Sequence, residues 1–438
     1  MAYAWERLSP EEKGSILAAV AGTAGPPPPR VVEISWQDRC NIDCFFCSTS
    51  EIRAGNFELS AERLEALFGQ MAALGVQGVR LMGGGEPLFR KDAERLIRSL
   101  GVHGLRVADV TTNGVLLTEP VVRALYATGC DEICVSLNTA DPESYAAMMQ
   151  TTPKNFDRVV ENVRRAAAIK RETGSDCRIR VQFLVYQDNY RQIPRMARLF
   201  RETGADSFWL NGLYPVRPMP MMTEADIDSM LRLYEEVLAE DYFEHLERFS
   251  FWERSIADRI DASTRAVFAR APLPRRARTK LRHLASAEAR RARKAARLHE
   301  FCLVGWYSMT VNANGDAVTC CILQDHKSAV LGSIHASSLA EIWRGEAYER
   351  FRRELREIMA RRGEVGSFEH ACNVEGLCAK KGACPTRSYY WSDDLAFRRR
   401  LHETVEAMPA PAGEPFASLG GVARPRLPVW QPETGVYK

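Results

Sequence analysis

Hydrophobic and polar residues alternate between two periods along the first half of the chain. Short runs rich in β-branched and alternating apolar residues fit strands, and between them apolar residues recur every three to four positions, as on helices. The strand runs are Val31–Ser35, Gly78–Met82, Leu105–Thr111, Glu132–Leu137, Arg178–Val185 and Ser207–Leu213. Over Ser60–Leu74, residues Leu64, Leu67, Phe68, Met71 and Leu74 keep helical spacing; Ser60 is placed to cap the start and Gly75 to end it. Six strand–helix repeats over 31–215 predict a parallel sheet with helices outside. Six is short of the eight that close a full barrel, so the periodicity admits a partial barrel or a doubly wound open sheet. In both, ligands lie at the C-terminal ends of the strands. Ahead of this block, residues 1–30 read as a helix starting at Ser9-Pro10-Glu11-Glu12, then the stiff spacer Gly25-Pro26-Pro27-Pro28-Pro29.

From about Tyr214 the strand pattern stops. Pro215, Pro218 and Pro220 mark a boundary, and 216–300 reads as a helical linker or insertion. Within it Arg265–His299 carries twelve Lys or Arg against one acidic residue, Glu288. That segment is +11, and since the whole chain is +3, the remainder is −8. A solvated helix face explains such a run; so would contact with a phosphorylated substrate or an anionic membrane surface. Phe268 is its single aromatic residue, which argues against nucleic acid. A further α+β unit spans 301–400, with a hairpin-like stretch at Tyr307–Gly315 and a helix around Leu339–Trp343, and 401–438 reads as a Pro-rich, partly ordered tail. With 46% hydrophobic and 26% charged residues the composition is that of a globular protein. There is no run long enough to span a membrane and no basic lead of a secretory signal. Twelve cysteines without such a signal predict metal ligation in a reducing compartment, and a cytoplasmic location.

Three thiols fall within eight residues in Cys40-Asn41-Ile42-Asp43-Cys44-Phe45-Phe46-Cys47, just after the first strand. A closed zinc site wants four protein ligands, whereas a cubane held by three cysteines keeps one iron open. A zinc knuckle or redox-sensing cluster is the alternative reading. A glycine-rich turn, Met82-Gly83-Gly84-Gly85-Glu86-Pro87-Leu88, follows the second strand. On the fourth strand alternation puts Glu132, Cys134, Ser136 and Asn138 on the polar face; on the fifth, Arg178, Arg180 and Gln182. The two arginines suit a carboxylate ligand, or one of them pairs with Glu132 as structural wiring. Cys134 is either a small buried residue or a thiol able to return a hydrogen atom to a substrate radical.

The Cys-x3-Cys-x2-Cys spacing, with an aromatic before the third cysteine and a Gly-Gly-Glu turn downstream, resembles the radical S-adenosylmethionine (SAM) enzymes. The resemblance implies a partial (β/α)6 barrel. It also implies a 4Fe-4S cluster on Cys40, Cys44 and Cys47 whose open iron binds SAM, one-electron cleavage to a 5′-deoxyadenosyl radical, and hydrogen abstraction from a substrate. Gly84, Gly85 and Glu86 match the family's SAM-contacting turn, and Ser136 and Asn138 its ribose or carboxylate contacts. Tyr145–Gln150 lacks the arginine many relatives carry there. Downstream, Cys302, the Gly315-x4-Cys320 spacing, the Glu341-Ile342-Trp343 helix and the terminal cysteines resemble the SPASM or twitch auxiliary-cluster domain. Six thiols are available there, Cys302, Cys320, Cys321, Cys372, Cys378 and Cys384, too few for two fully ligated clusters, so one auxiliary 4Fe-4S cluster is expected. An electron donor such as flavodoxin or ferredoxin is implied. Thirty residues before the barrel are too few for the leader-binding domain of peptide maturases. The expected substrate is therefore a small polar metabolite, such as a sugar-containing natural product, phosphorylated or nucleotide-linked if the basic segment reaches it. The reaction would be oxidation, epimerisation or dehydration at a carbinol carbon. A ribosomal-peptide maturase is the second expectation, and a non-catalytic iron–sulfur sensor binding nucleic acid the third.

Overall fold

The structure is a computed structural model that describes residues 7–47, 49–213, 222–239, 246–250, 303–318, 330–360 and 395–408, with a few isolated positions and two short terminal strands. The six expected strands form as β1 (Val31–Ile34), β2 (Gly78–Leu81), β3 (Arg106–Thr112), β4 (Glu132–Ser136), β5 (Arg178–Val185) and β6 (Ser207–Gly212), each parallel to the next. Helices α1 (Pro10–Ala21), α2 (Ala61–Leu74), α3 (Ala93–Val102), α4 (Glu119–Ala127), α5 (Pro142–Met149), α6 (Lys154–Thr173) and α7 (Ile193–Thr203) lie before and between them.

Local chemistry sets the helix ends. Ser9 and Glu12 form a reciprocal capping box on α1. Ser60 Oγ accepts from the Arg63 amide at the start of α2, which Gly75 ends at φ 89°. On β5 alternation is complete: Ile179, Val181, Phe183 and Val185 are buried against helices, while Arg178, Arg180, Gln182 and Leu184 are half-buried on the open face.

Two features depart from the sequence reading. A seventh strand, β7 (Leu246–Ser250), joins β6 in parallel inside the segment expected to be helical. Beyond it, β8 (Ser308–Val311) pairs in parallel with β1, and β9 (Asp316–Val318) and β10 (Val330–Ser333) continue antiparallel. The result is one open ten-stranded sheet in the order β10-β9-β8-β1-β2-β3-β4-β5-β6-β7. The C-terminal segment therefore extends the first sheet, because the β1 edge carries unpaired backbone groups that β8 satisfies. The region read as a tail is also partly regular, with α-helix at Leu395–Glu406 and paired strands at Trp430–Gln431 and Val436–Tyr437.

Helices Leu339–Arg344 and Glu346–Ala360 pin this segment down. Trp343 Nε1 donates to the Pro27 carbonyl at 2.9 Å, and the Leu339 amide to Gln70 Oε1 at 2.8 Å. Arg352, fully buried, donates to the Gly305 and Trp343 carbonyls and stacks over the Trp343 ring at 4.4 Å. The polyproline spacer thus serves as a docking rail. Among the described residues no helix is long and apolar enough to cross a membrane.

Candidate active site

The stem that leads into the thiol loop is stitched to the glycine-rich turn. Ser35 Oγ accepts from the Gly84 amide at 2.9 Å, Gln37 Nε2 donates to the Glu86 carbonyl at 2.6 Å, and the Glu86 amide donates to the Arg39 carbonyl at 2.9 Å. Gly85 packs so closely on Asp38 and Arg39 that any Cβ would collide with their backbone. Glu86 itself is buried: its carboxyl accepts from the Leu88 and Asn113 amides and from Thr112 Oγ1. Burial pushes this carboxyl up from its ordinary value, against the pull of those donors. Glu86 thereby braces the turn after β2 to the turn after β3, while the Gly84 carbonyl accepts from Thr49 Oγ1 at 2.9 Å and the Gly85 amide donates to the Gln37 carbonyl at 3.2 Å.

The other side of the loop rests on α5. The Asp43 and Phe45 amides donate to the Met149 and Met148 carbonyls at 3.3 and 3.2 Å, and Cys44 Sγ lies 3.7 Å from Met149 Sδ. Asn113 Nδ2 approaches Cys40 Sγ at 3.9 Å, Thr49 Oγ1 is 3.3 Å from Cys47 Sγ, and Arg53 Nη1 is 3.7 Å from the same sulfur. Cys40, Cys44 and Cys47 are free and half-buried. Burial pushes the Cys40 and Cys44 thiols up, and Cys44 is raised further by the neighbouring sulfurs of Cys40 and Cys47.

Among the described residues no three His, Cys, Asp or Glu side chains close on a single-ion site. Soft sulfur donors, a side-chain amide N–H near one of them and a nearby guanidinium are what an iron–sulfur cluster wants around it.

The remaining candidates sit on the open face of the sheet. In register, Cys134 is opposite Thr111 and Arg180, and Ser136 opposite Gln182, which in turn faces Trp209. Cys134 is buried, its sulfur 3.6 Å from Gln182 Oε1. Arg178 and Arg180 both reach Glu132 Oε2, at 2.6 and 2.8 Å, and Arg180 also lies over the Trp209 ring at 5.1 Å. The wiring foreseen for one arginine therefore involves both. Deeper in the sheet Arg80 is clamped between Glu33 at 2.7 Å and Asp109 at 2.5 Å, all three buried.

Asn138 is fully buried at φ 63°, its Oδ1 accepting from the Leu184 amide and its Nδ2 3.7 Å from Met149 Sδ. Its side chain ties β4 to β5 and α5, and Ser136 is the more open of the pair. Sequence reasoning missed Arg53, Thr49 and Met149, which lie in or after motifs it had singled out but whose aim only the fold reveals. Cys302, Cys320, Cys321, Cys372, Cys378, Cys384 and the basic run lie outside the described residues.

Three thiols and a glycine-rich turn lie together at the strand ends of this open, largely parallel α/β sheet. Residues 34–204 match the Radical SAM superfamily, and residues 302–372 match SPASM, an iron–sulfur cluster-binding domain. The chain is a radical SAM enzyme with a SPASM domain, whose cofactors are a 4Fe-4S cluster, S-adenosylmethionine and auxiliary iron–sulfur.

Among curated proteins, the probable GTP 3',8-cyclase of Methanosarcina mazei is 36% identical over 141 residues, 31% of this chain and 41% of that one. Its counterpart in Methanothermobacter thermautotrophicus is 31% identical over 175 residues, covering 40% and 54%. The match thus spans about half the length of these relatives. In fold the chain resembles Streptococcus suis SuiB, with TM-score 0.51 and 19% identity over 75% of this chain and 68% of that one. It also resembles anSMEcpe, solved with AdoMet and the Kp18Cys peptide, with TM-score 0.50 and 14% identity over 86% and 96%.

Proposed function

We propose that the enzyme takes a hydrogen atom from a carbinol carbon of a small, neutral, hydroxyl-rich metabolite, such as a sugar-containing natural product. Oxidation, epimerisation or dehydration follows. The observation that carries this is the wall of the open face at the strand ends. Thr111, Ser136, Gln182 and Asn211 are half-buried there, neutral hydrogen-bonding groups suited to hydroxyls. The charges on that face are matched, Arg80 to Glu33 and Asp109, and Arg178 and Arg180 to Glu132. A phosphate would find its cations already engaged.

Cys40, Cys44 and Cys47 would hold the 4Fe-4S cluster, and S-adenosylmethionine bound there would supply the hydrogen-abstracting carbon radical. The chain's own part is placement. Gly84 and Gly85, held by Glu86, would present backbone to the methionyl end and Ser136 would meet the ribose or carboxylate, while Gln182 and Asn211 would orient the substrate hydroxyls. Arg178 and Arg180 fix the floor through Glu132. Cys134 donates a hydrogen atom when the outcome is epimerisation: its S–H bond breaks as the substrate C–H bond forms. One electron and one proton from an external donor such as flavodoxin or ferredoxin restore the thiol. Four of the six downstream cysteines would hold one auxiliary 4Fe-4S cluster.

Anaerobic reconstitution tests the reading. About eight irons per chain and 5′-deoxyadenosine formation on adding SAM and reductant are expected. Cys44→Ala should abolish SAM cleavage while keeping about half the iron. Deuterium passing from a carbinol position into 5′-deoxyadenosine would fix the substrate class, whereas deuterium arriving only from a peptide would favour the maturase. About four irons without SAM cleavage would sink the assignment.

A further inference from the structure

Arg53 closes a single helical turn, Ser50–Arg53, its amide bonded to the Thr49 carbonyl at 3.0 Å just beyond the last thiol of the loop. Its guanidinium points back into the loop: Nη1 is 3.7 Å from Cys47 Sγ and Nη2 donates to Asp43 Oδ1 at 2.9 Å. The Arg53 side chain is 18% exposed and that of Asp43 70%, so the cation is on the inside and the anion on the outside. Among the described residues, the other groups placed against the three sulfurs are neutral: the Asn113 amide, the Thr49 hydroxyl and the Met149 thioether. The Glu86 carboxyl lies behind them, buried and fixed by three donors.

We propose that the Arg53–Asp43 pair sets how readily the cluster on Cys40, Cys44 and Cys47 accepts an electron, Arg53 raising its potential and Asp43 lowering it. This rests on the radical SAM reading of the loop. Reduction adds one negative charge to the cluster. A guanidinium beside a ligating sulfur stabilises that charge and withdraws electron density through N–H···S donation. Asp43 aims the guanidinium and offsets part of its charge. Both are positioning residues that act through Cys47. Because Asp43 is exposed, its share weakens as salt screens it.

The test is an EPR-monitored redox titration of the reconstituted full-length protein, following the reduced-cluster signal that changes when SAM is added. Arg53→Ala should lower the midpoint by about tenfold in the reduction equilibrium, 59 mV for one electron. Asp43→Asn should raise it, and Arg53→Lys, which keeps the charge, should restore most of the loss. Opposite shifts from the two halves of one ion pair are not what a merely structural contact gives. Shifts in the same direction, or none in either variant, overturn the proposal. If Arg53→Ala loses iron, Asp43→Asn and Arg53→Lys decide alone. Absence of any SAM-responsive signal in the unaltered protein would instead strike the radical SAM reading itself.

Discussion

Gly85 carries more consequence than its size suggests. Its backbone is pressed onto Asp38 and Arg39, two residues that lead directly into Cys40. Gly85→Ala should therefore push the thiol loop out of place, costing about 1–3 kcal/mol of stability as overpacking does. It should also weaken SAM binding, which equilibrium dialysis and thermal unfolding would show together. The cysteine spacing and the Gly-Gly-Glu turn were legible because both are consecutive in the chain. The distribution of work among their neighbours was not. Strand alternation put Asn138 on the polar face, and the family resemblance made it a ligand contact. A left-handed backbone instead turns it into the core, where it holds the Leu184 amide. Arg53 gave no signal at all, since an arginine six residues past a cysteine is ordinary until a helical turn swings it back.

Between elements, the Glu33–Arg80–Asp109 clamp ties β1, β2 and β3 together beneath the site. Arg80→Met would leave two buried carboxylates uncompensated and should destabilise by about 3–5 kcal/mol, read from urea unfolding. Burial alone would push the Asp109 carboxyl up, but the Arg80 guanidinium overrides it and holds the group below its ordinary value. A carboxyl depressed in the folded state contributes stability that is present above its unfolded value and is lost as pH falls through the folded one. The acid limb of the stability profile should accordingly flatten in Asp109→Asn. Strands β1 to β6 were readable within about two residues because period-two patterning reports local geometry. Strand β7 was not, since its apolar residues Leu246 and Phe249 fall at helical spacing, and β8 was read only as part of a hairpin. Its pairing with β1 is a long-range choice that no local pattern encodes.

At the level of the whole molecule, Trp343 and Leu339 tie the C-terminal segment to Pro27 and Gln70 of the first half, and Arg352 braces Trp343 from within that segment. Arg352→Ala would strand the Gly305 and Trp343 carbonyls and remove a stacked cation from Trp343 and Tyr348. We expect a loss of about 3–5 kcal/mol, in the range for breaking a buried charged network. Faster proteolysis C-terminal to β7 should accompany it, with the first six strands still protected. The sequence divided the chain at its prolines and cysteines, but the sheet runs through that division, so the two cluster-bearing parts share one hydrogen-bonded frame.

That shared frame has a consequence for biosynthesis. Val31 pairs with Ser308, 277 positions later in the chain. At about 5–20 residues per second a ribosome needs roughly 14–55 s to deliver β8 after β1 has emerged. For all that time β1, with Val31, Val32 and Ile34 destined for the core, has one bare edge beside a thiol loop waiting for iron. A nascent chain of this kind is a client for whatever shields strand edges in the cell, and its yield should fall when translation is slowed between β7 and β8.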